Sequence, residues 1–302
     1  MIGAVRVIMH VRVGSLVSDS DQIRPLLRWL FAHDLPKAVV ITCAHSELKR
    51  SPRGVQIISW SDCLSTAPIG LPAQLLALGI EHVSVESCAL ESVDSTEKIQ
   101  QWIELTPSLV SQFEGFDRFL RSGDAVLTCG AIALPRRVLL GLSVAEKPPY
   151  SFVGDDVDRT VRALELLREQ GRLSASSALN RSLGGHRLGI TTCTACGVCV
   201  RACPHDALEI IDAGTSSTVV HHRGRCRGEE RCVSLCPEKG IWIQGDIELR
   251  DLLEHEVAEL RVVNTTACEK CGARHPVDEG QYCKVCQFKA RSPFGSITLG
   301  HN

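Results

Sequence analysis

The sequence predicts an α/β domain with a small, mostly parallel sheet, followed by a small α+β module built around cysteines and a four-cysteine ribbon-like tail. In the first half, short β-branched runs alternate with stretches of helical periodicity, which is the pattern of a layered α/β arrangement. Eleven of the fifteen cysteines fall after residue 190. Those eleven form two groups, seven between residues 193 and 236 and four between 268 and 286.

Residues 1–150 make up the α/β domain. The stretch 1–14 reads as a strand broken by Arg6, His10 and Arg12. Ser20 or Asp21 caps a helix carrying Ile23, Leu26, Leu27, Leu30 and Phe31 at helical spacing, with Pro25 tolerated in its first turn. A strand ending at Val39-Val40-Ile41-Thr42-Cys43 follows, then a strand over 55–60, a short helix over 72–79 and a strand over 83–85 that leads to Cys88. Helical pieces over 99–103 and 109–120 are divided at Thr106-Pro107, which suits an N-cap and a first helical position. A strand over 125–128 runs into Cys129, and Pro148-Pro149 breaks the pattern. Residues 151–185 read as an amphipathic helix with Val157, Val161, Leu164 and Leu167 on one face and Gly171 as its stop, then a serine- and glycine-rich linker. The cysteine module takes 186–246, and a second helix over 247–263 shows Leu249, Leu252, Leu253, Val257 and Leu260 on one face. The tail module takes 264–302.

With 302 residues the chain is long enough for about two ordinary domains and a small module. Its 44% hydrophobic and 23% charged residues describe a globular protein, and the net charge of −2 gives no reason to expect nucleic acid or an anionic surface as partner. No apolar run approaches bilayer length, so the chain is expected not to span a membrane. A secretory or twin-arginine signal is not seen, which leads to an expected cytoplasmic location where thiols stay reduced. There is no glycine-rich dinucleotide fingerprint, phosphate loop, nucleophile elbow or haem attachment motif, so no substrate-level active site is expected. Asp155-Asp156 fits helix capping, and His221-His222 fits an exposed hairpin.

The run Cys193-x2-Cys196-x2-Cys199-x3-Cys203-Pro204 is followed by Cys226-x5-Cys232-x3-Cys236-Pro237. Two residues between successive cysteines let one turning loop aim three thiolates at one [4Fe–4S] core, and the proline after the last cysteine stops helix continuation. Residues 187–245 resemble the bacterial-type dicluster ferredoxin family. That resemblance implies a ferredoxin-like α+β module with crossed ligation, cluster I taking Cys193, Cys196, Cys199 and Cys236 and cluster II taking Cys203, Cys226 and Cys232. Where the family's remaining cysteine stands, this chain has Glu229. A carboxylate-ligated [4Fe–4S] cluster, a [3Fe–4S] cluster and no second cluster are all open, because oxygen is a harder ligand than thiolate. Between residues 187 and 245 there are seven Lys/Arg and six Asp/Glu, a near-neutral module that suits a fixed subunit better than an acidic diffusing shuttle.

In the tail, Cys268-x2-Cys271-Gly272 and Cys283-x2-Cys286 stand eleven residues apart. Paired knuckles place four sulfurs tetrahedrally, and so short a segment rarely folds on apolar burial alone. Structural zinc is expected, in a zinc-ribbon-like module; a rubredoxin-like iron site uses the same sulfurs.

Cys43, Cys63, Cys88 and Cys129 each lie at or just after a predicted strand end, where open α/β sheets hold ligands. Residues 36–90, through Ile57-Ile58-Ser-Trp-Ser-Asp-Cys63 and the segment from Leu76 to Cys88, are similar to the delta subunit of methyl-viologen-reducing hydrogenase. The resemblance implies a [2Fe–2S] site in this domain and heterodisulfide reductase as electron acceptor. This chain has single cysteines in Thr42-Cys43-Ala44 and Ser87-Cys88-Ala89, where that family carries additional ones. The expected function is an iron–sulfur electron-transfer subunit beside a hydrogenase-like or heterodisulfide-reductase-like enzyme. The alternatives are a metal-handling assembly factor for such an enzyme, and a thiol-active reductase using the amino-terminal cysteines.

Overall fold

The structure is a computed structural model, and it describes residues 21–88, 93–116, 125–132, 147–174 and 177–291. The strand expected over 1–14 and the cap at Ser20 lie outside the described residues. The chain opens with α1 (Ile23–Phe31), β1 (Ala38–Thr42), β2 (Val55–Ser59), α2 (Leu71–Leu78), β3 (His82–Val85), α3 (Val93–Leu105), β4 (Val110–Gln112), β5 (Leu127–Thr128) and α4 (Asp156–Glu169). The five strands form one parallel sheet in the order β4-β3-β1-β2-β5. β1 is buried along four of its five residues, as a strand covered on both faces should be.

All eight residues of α2 are buried, because α1 and α4 pack against it. The approach of α4 is close enough that a Cβ on Gly70 would collide with the Thr160 side chain. Asp155 caps α4 in a reciprocal box with Asp158, as its sequence position suggested. At the heart of this contact lies Arg159, fully buried. Its guanidinium forks onto Asp21 at 2.9 and 2.8 Å and also donates to Gln74 Oε1 at 3.2 Å and Gly154 O at 2.9 Å. Alanine at 159 would strand those acceptors. Denaturant unfolding is expected to show a loss of about 3 kcal/mol, which lysine does not restore because it lacks the planar fork.

Two expected helices are corrected. Residues 110–112 are strand, not helix: Thr106 Oγ1 donates back to Trp102 O and closes α3, and Ser108 turns the chain with φ 71° into β4 beside β3. Residues 117–120 of that expected helix lie outside the described residues. The helix expected over 247–263 ends early. Only α7 (Leu249–Glu254) is helical, and after His255 the chain becomes an eleven-residue strand, β10 (Val257–Ala267). Leucine spacing imitated a helical stripe there, while Val262, Val263, Thr265 and Thr266 are β-branched residues that suit a pleated surface.

The second half contains β6 (Ser182–Ile190), α5 (Val198–Ala202), β7 (Leu208–Asp212), β8 (Ser216–His222), α6 (Arg231–Ser234), β9 (Ile241–Glu248), α7, β10, β11 (Arg274–Pro276) and α8 (Lys284–Arg291). β6 pairs with β9, so the expected linker is already strand from Ser182 onward. The other sheet runs β11-β10-β8-β7, antiparallel throughout. Leu188, Cys199, Leu208, Val219 and Ile241 make a small core of their own. Ile247, Leu249 and Leu252 join the larger core of the α/β domain, which seats the cysteine module on it. Arg227 adds ion pairs to Asp155 at 2.6 Å and Asp158 at 3.0 Å, across the N-terminus of α4. Burial pushes the Asp155 carboxyl up, but the bonds from Arg227 and from the Asp158 N–H outweigh it and hold it below the usual carboxylate range.

Candidate metal centres

Between β6 and α5 the chain must turn sharply to present Cys193, Cys196 and Cys199. Ala195 (φ 51°) and Gly197 (φ 72°) supply left-handed turns, and the Ala195 N–H donates to Cys193 Sγ at 3.3 Å. Gly197 then caps α5, whose single buried residue is Cys199. The second motif repeats this plan, with Glu230 (φ 57°) in the place of Gly197, capping α6 ahead of Cys232. A left-handed residue other than glycine costs on the order of 1 kcal/mol, so the loop geometry outweighs local preference there.

One cavity is lined by Cys193, Cys196, Cys199 and Cys236 and walled by Ile210, Val219 and Ile241. A second is lined by Cys203, Cys226 and Cys232 with Glu229, His205 and His221. The last cysteine of each motif therefore lines the cavity of the other motif. The Ala207 N–H donates to Cys203 Sγ at 3.3 Å. Burial, with help from neighbouring sulfurs, raises the thiols of Cys193 and Cys232 and lifts Cys199 to about 11. Several thiolates crowded into a cavity repel one another unless a cation sits among them, and metal ligation is what deprotonates such thiols. The donor set and the apolar walls fit an iron–sulfur core in the first cavity. The second offers three thiols and the carboxylate of Glu229, which lies 3.5 Å from His205 Nε2 and 3.6 Å from Arg231 Nε.

His221 is a correction. It is 1% exposed on β8, not on an open hairpin, and burial with the charges of Arg223 and His222 lowers it to about 4, so the ring is neutral near pH 7. His222, one residue on, is half-buried and lies 2.8 Å from Glu209. The two-residue period of a strand put them on opposite faces. Sequence reasoning missed the inward one because it took 221–222 for a turn.

The first cavity depends on one close backbone approach. Gly240 accepts a hydrogen bond from the Thr191 N–H at 2.9 Å, and a Cβ there would run into the carbonyl oxygen of Thr192, next to Cys193. Gly240→Ala is expected to cost on the order of 3 kcal/mol and to lower the bound sulfide, read by thermal unfolding and acid-labile sulfide on the same sample.

In the tail, Cys268, Cys271, Cys283 and Cys286 bring their sulfurs within 4.8 Å of one another. Gly272 (φ 73°) makes the first knuckle, closed by Gly272 N–H to Cys268 O at 2.8 Å. The Cys283 N–H donates to Cys268 Sγ at 3.4 Å; this bond leads those that hold the Cys268 thiol down to about 6. Cys286, hydrogen-bonded by Cys271 and its neighbours, is pushed up to about 12. Four sulfurs at this spacing suit a tetrahedral ion.

Of the four amino-terminal cysteines, two meet. Cys43 and Cys88 meet at the ends of neighbouring β1 and β3, Sγ to Sγ 3.6 Å, with His45 close enough to share an ion. Cys63 and Cys129 are not within that 4.8 Å grouping; Cys129 is buried, and burial lifts its thiol to about 12. Among the described residues no helix is long and apolar enough to cross a membrane.

Residues 192–240 match the family described as 4Fe-4S dicluster domain. A ferredoxin from Pyrobaculum islandicum is 41% identical over 49 residues, which are 16% of this chain and 43% of that protein. The chain thus spans under half the length of the curated relative it matches, and the likeness is confined to the cysteine module. This protein carries an iron–sulfur 4Fe–4S dicluster segment of ferredoxin type within a larger mixed α/β chain.

Proposed function

We propose that the chain is an electron-transfer subunit that relays single electrons within a larger redox assembly. The observation that carries this is the pair of cavities in which each cysteine motif gives its last sulfur to the other. Cys193, Cys196, Cys199 and Cys236 hold a [4Fe–4S] cluster in the first. Cys203, Cys226 and Cys232 hold the second, with Glu229 in the fourth position of a [4Fe–4S] cluster or beside a [3Fe–4S] one. A cluster bound in either place takes up and gives back one electron. The protein's own work is to supply thiolates, exclude water with Ile210, Val219, Ile241, Leu188 and Leu208, and aim backbone N–H groups at sulfur. The tail cysteines hold zinc as a structural ion.

Ferredoxin-type domains pass electrons to redox partners, and the α/β domain and tail are the surfaces left for docking one. A hydrogenase-like or heterodisulfide-reductase-like enzyme is the partner favoured by the resemblance of residues 36–90. Anaerobic purification with iron, zinc and sulfide counts, then EPR of oxidised and reduced samples, tests the proposal. Colourless protein releasing no sulfide would end it. A [3Fe–4S] signal in the oxidised sample would settle the second site.

The contact between Cys43 and Cys88 favours a second reading, in which this thiol pair reduces a disulfide substrate using electrons from the clusters. Cys43→Ser would then abolish turnover and leave the ferredoxin spectrum unchanged. A pure relay keeps electron transfer in that variant.

A further inference from the structure

His221 is buried on β8 between Leu208 of β7 and Ala258 of β10, and neither of its ring nitrogens has a hydrogen-bond partner among the described residues. Buried polar groups are nearly always bonded, so an imidazole left with both nitrogens idle asks for a partner outside the polypeptide. The ring lines the second cysteine cavity together with Cys203, Cys226 and Cys232. It also lines a polar groove beyond, with Arg223, Trp242, Gln244 and Glu259. Glu229, the other candidate to complete that cavity, is 42% exposed and already faces His205 and Arg231.

We propose that His221 donates a ring N–H hydrogen bond to a sulfur of the cluster in the second cavity, which makes it a positioning residue that sets that cluster's potential. This rests on the proposed second cluster. A donor aimed at sulfur favours the more negative, reduced form, so the bond raises the potential of this cluster and leaves its neighbour in the first cavity alone.

The test is potentiometric EPR on the full chain as wild type, His221→Leu and His221→Gln. In His221→Leu the second cluster is expected to become harder to reduce. Its reduced-to-oxidised ratio at fixed potential should drop roughly tenfold, equivalent to about 59 mV for one electron, with the first cluster unmoved. His221→Gln keeps an N–H donor and should recover part of the shift. Pulsed EPR of wild type with ¹⁵N-histidine should show a weak nitrogen coupling at the second cluster that is lost in His221→Leu. Equal potentials with both clusters intact would overturn the inference, as would a strong coupling typical of direct iron ligation. Should His221→Leu not fold, loss of the weak coupling in labelled His221→Gln decides, since His205 of the same cavity keeps its label there. A count of about four sulfides per chain would remove the second cluster and this inference together, whereas about eight with no coupling would remove the inference only.

Discussion

Cys199→Ser is expected to empty the first cavity and cut acid-labile sulfide by about half, the share of one cubane in two. No other cysteine among the described residues is placed to replace it. Cys199 is the buried residue of α5, and among the described residues its neighbours Leu188, Leu208, Val219 and Ile241 make up the rest of the buried part of that core. So few apolar residues hold two thin sheets together poorly without an inorganic centre between them, because small modules bury too little surface to order themselves. The variant should therefore lose structure as well as colour. Hydrogen exchange over residues 187–245 should rise toward unprotected rates, while β1, β2 and β3, in the larger core, keep their protection. Wild-type sulfide in the variant would show that Cys199 is not a ligand. Loss of sulfide with full protection would show that the module stands without its cluster.

The second large effect is expected in the tail. On the proposed zinc site, Cys283→Ser should take bound zinc from one per chain to none. The knuckles and α8 should then open, because Cys286 is the buried residue of α8 and, among the described residues, the buried cluster there consists of Cys268, Cys283 and Cys286. Metal binding at such a site is folding free energy, on the order of 10 kcal/mol or more for a zinc knuckle pair near neutral pH. Exchange should become fast from about residue 268 onward, with β10 still protected over the residues paired to β8. Chelation of the wild type should give the same pattern reversibly. Iron in place of zinc in the purified protein would convert the tail from a structural element into a further redox centre.

Local chemistry made much of this readable. The β-branched runs at 38–42 and 55–59 and the leucine-rich 71–78 declare a covered parallel sheet, since only a strand or helix buried on both faces is so largely apolar. The cysteine spacings declare their cavities for a similar reason: the reach of a thiolate is short, so the order of residues must follow the shape of the site. Long-range pairing was harder to see. Leu249, Leu252, Leu253, Val257 and Leu260 satisfy a helical period, and nothing nearby in sequence reveals that β8 claims Val257 to Asn264 as a partner strand. The same holds for Val110, helical by period and strand by pairing with Val83. His221 was hidden because its burial depends on β7 and β10 flanking it from either side. That Cys43 meets Cys88 depends on β1 and β3 being neighbours in the sheet, which the sequence does not state.

β10 has one more consequence. Its first part is bonded to β8, which walls both cavities through Val219 and His221, and its last three residues are bonded to β11 beside the tail cysteines. Lys284 of α8 also reaches Glu238, just past Pro237, at 2.9 Å. The tail is therefore not a pendant on a tether but an extension of the same plank. A protein that clasps this end fixes the heading of the whole iron-binding half, as a hand on a rudder post sets the blade.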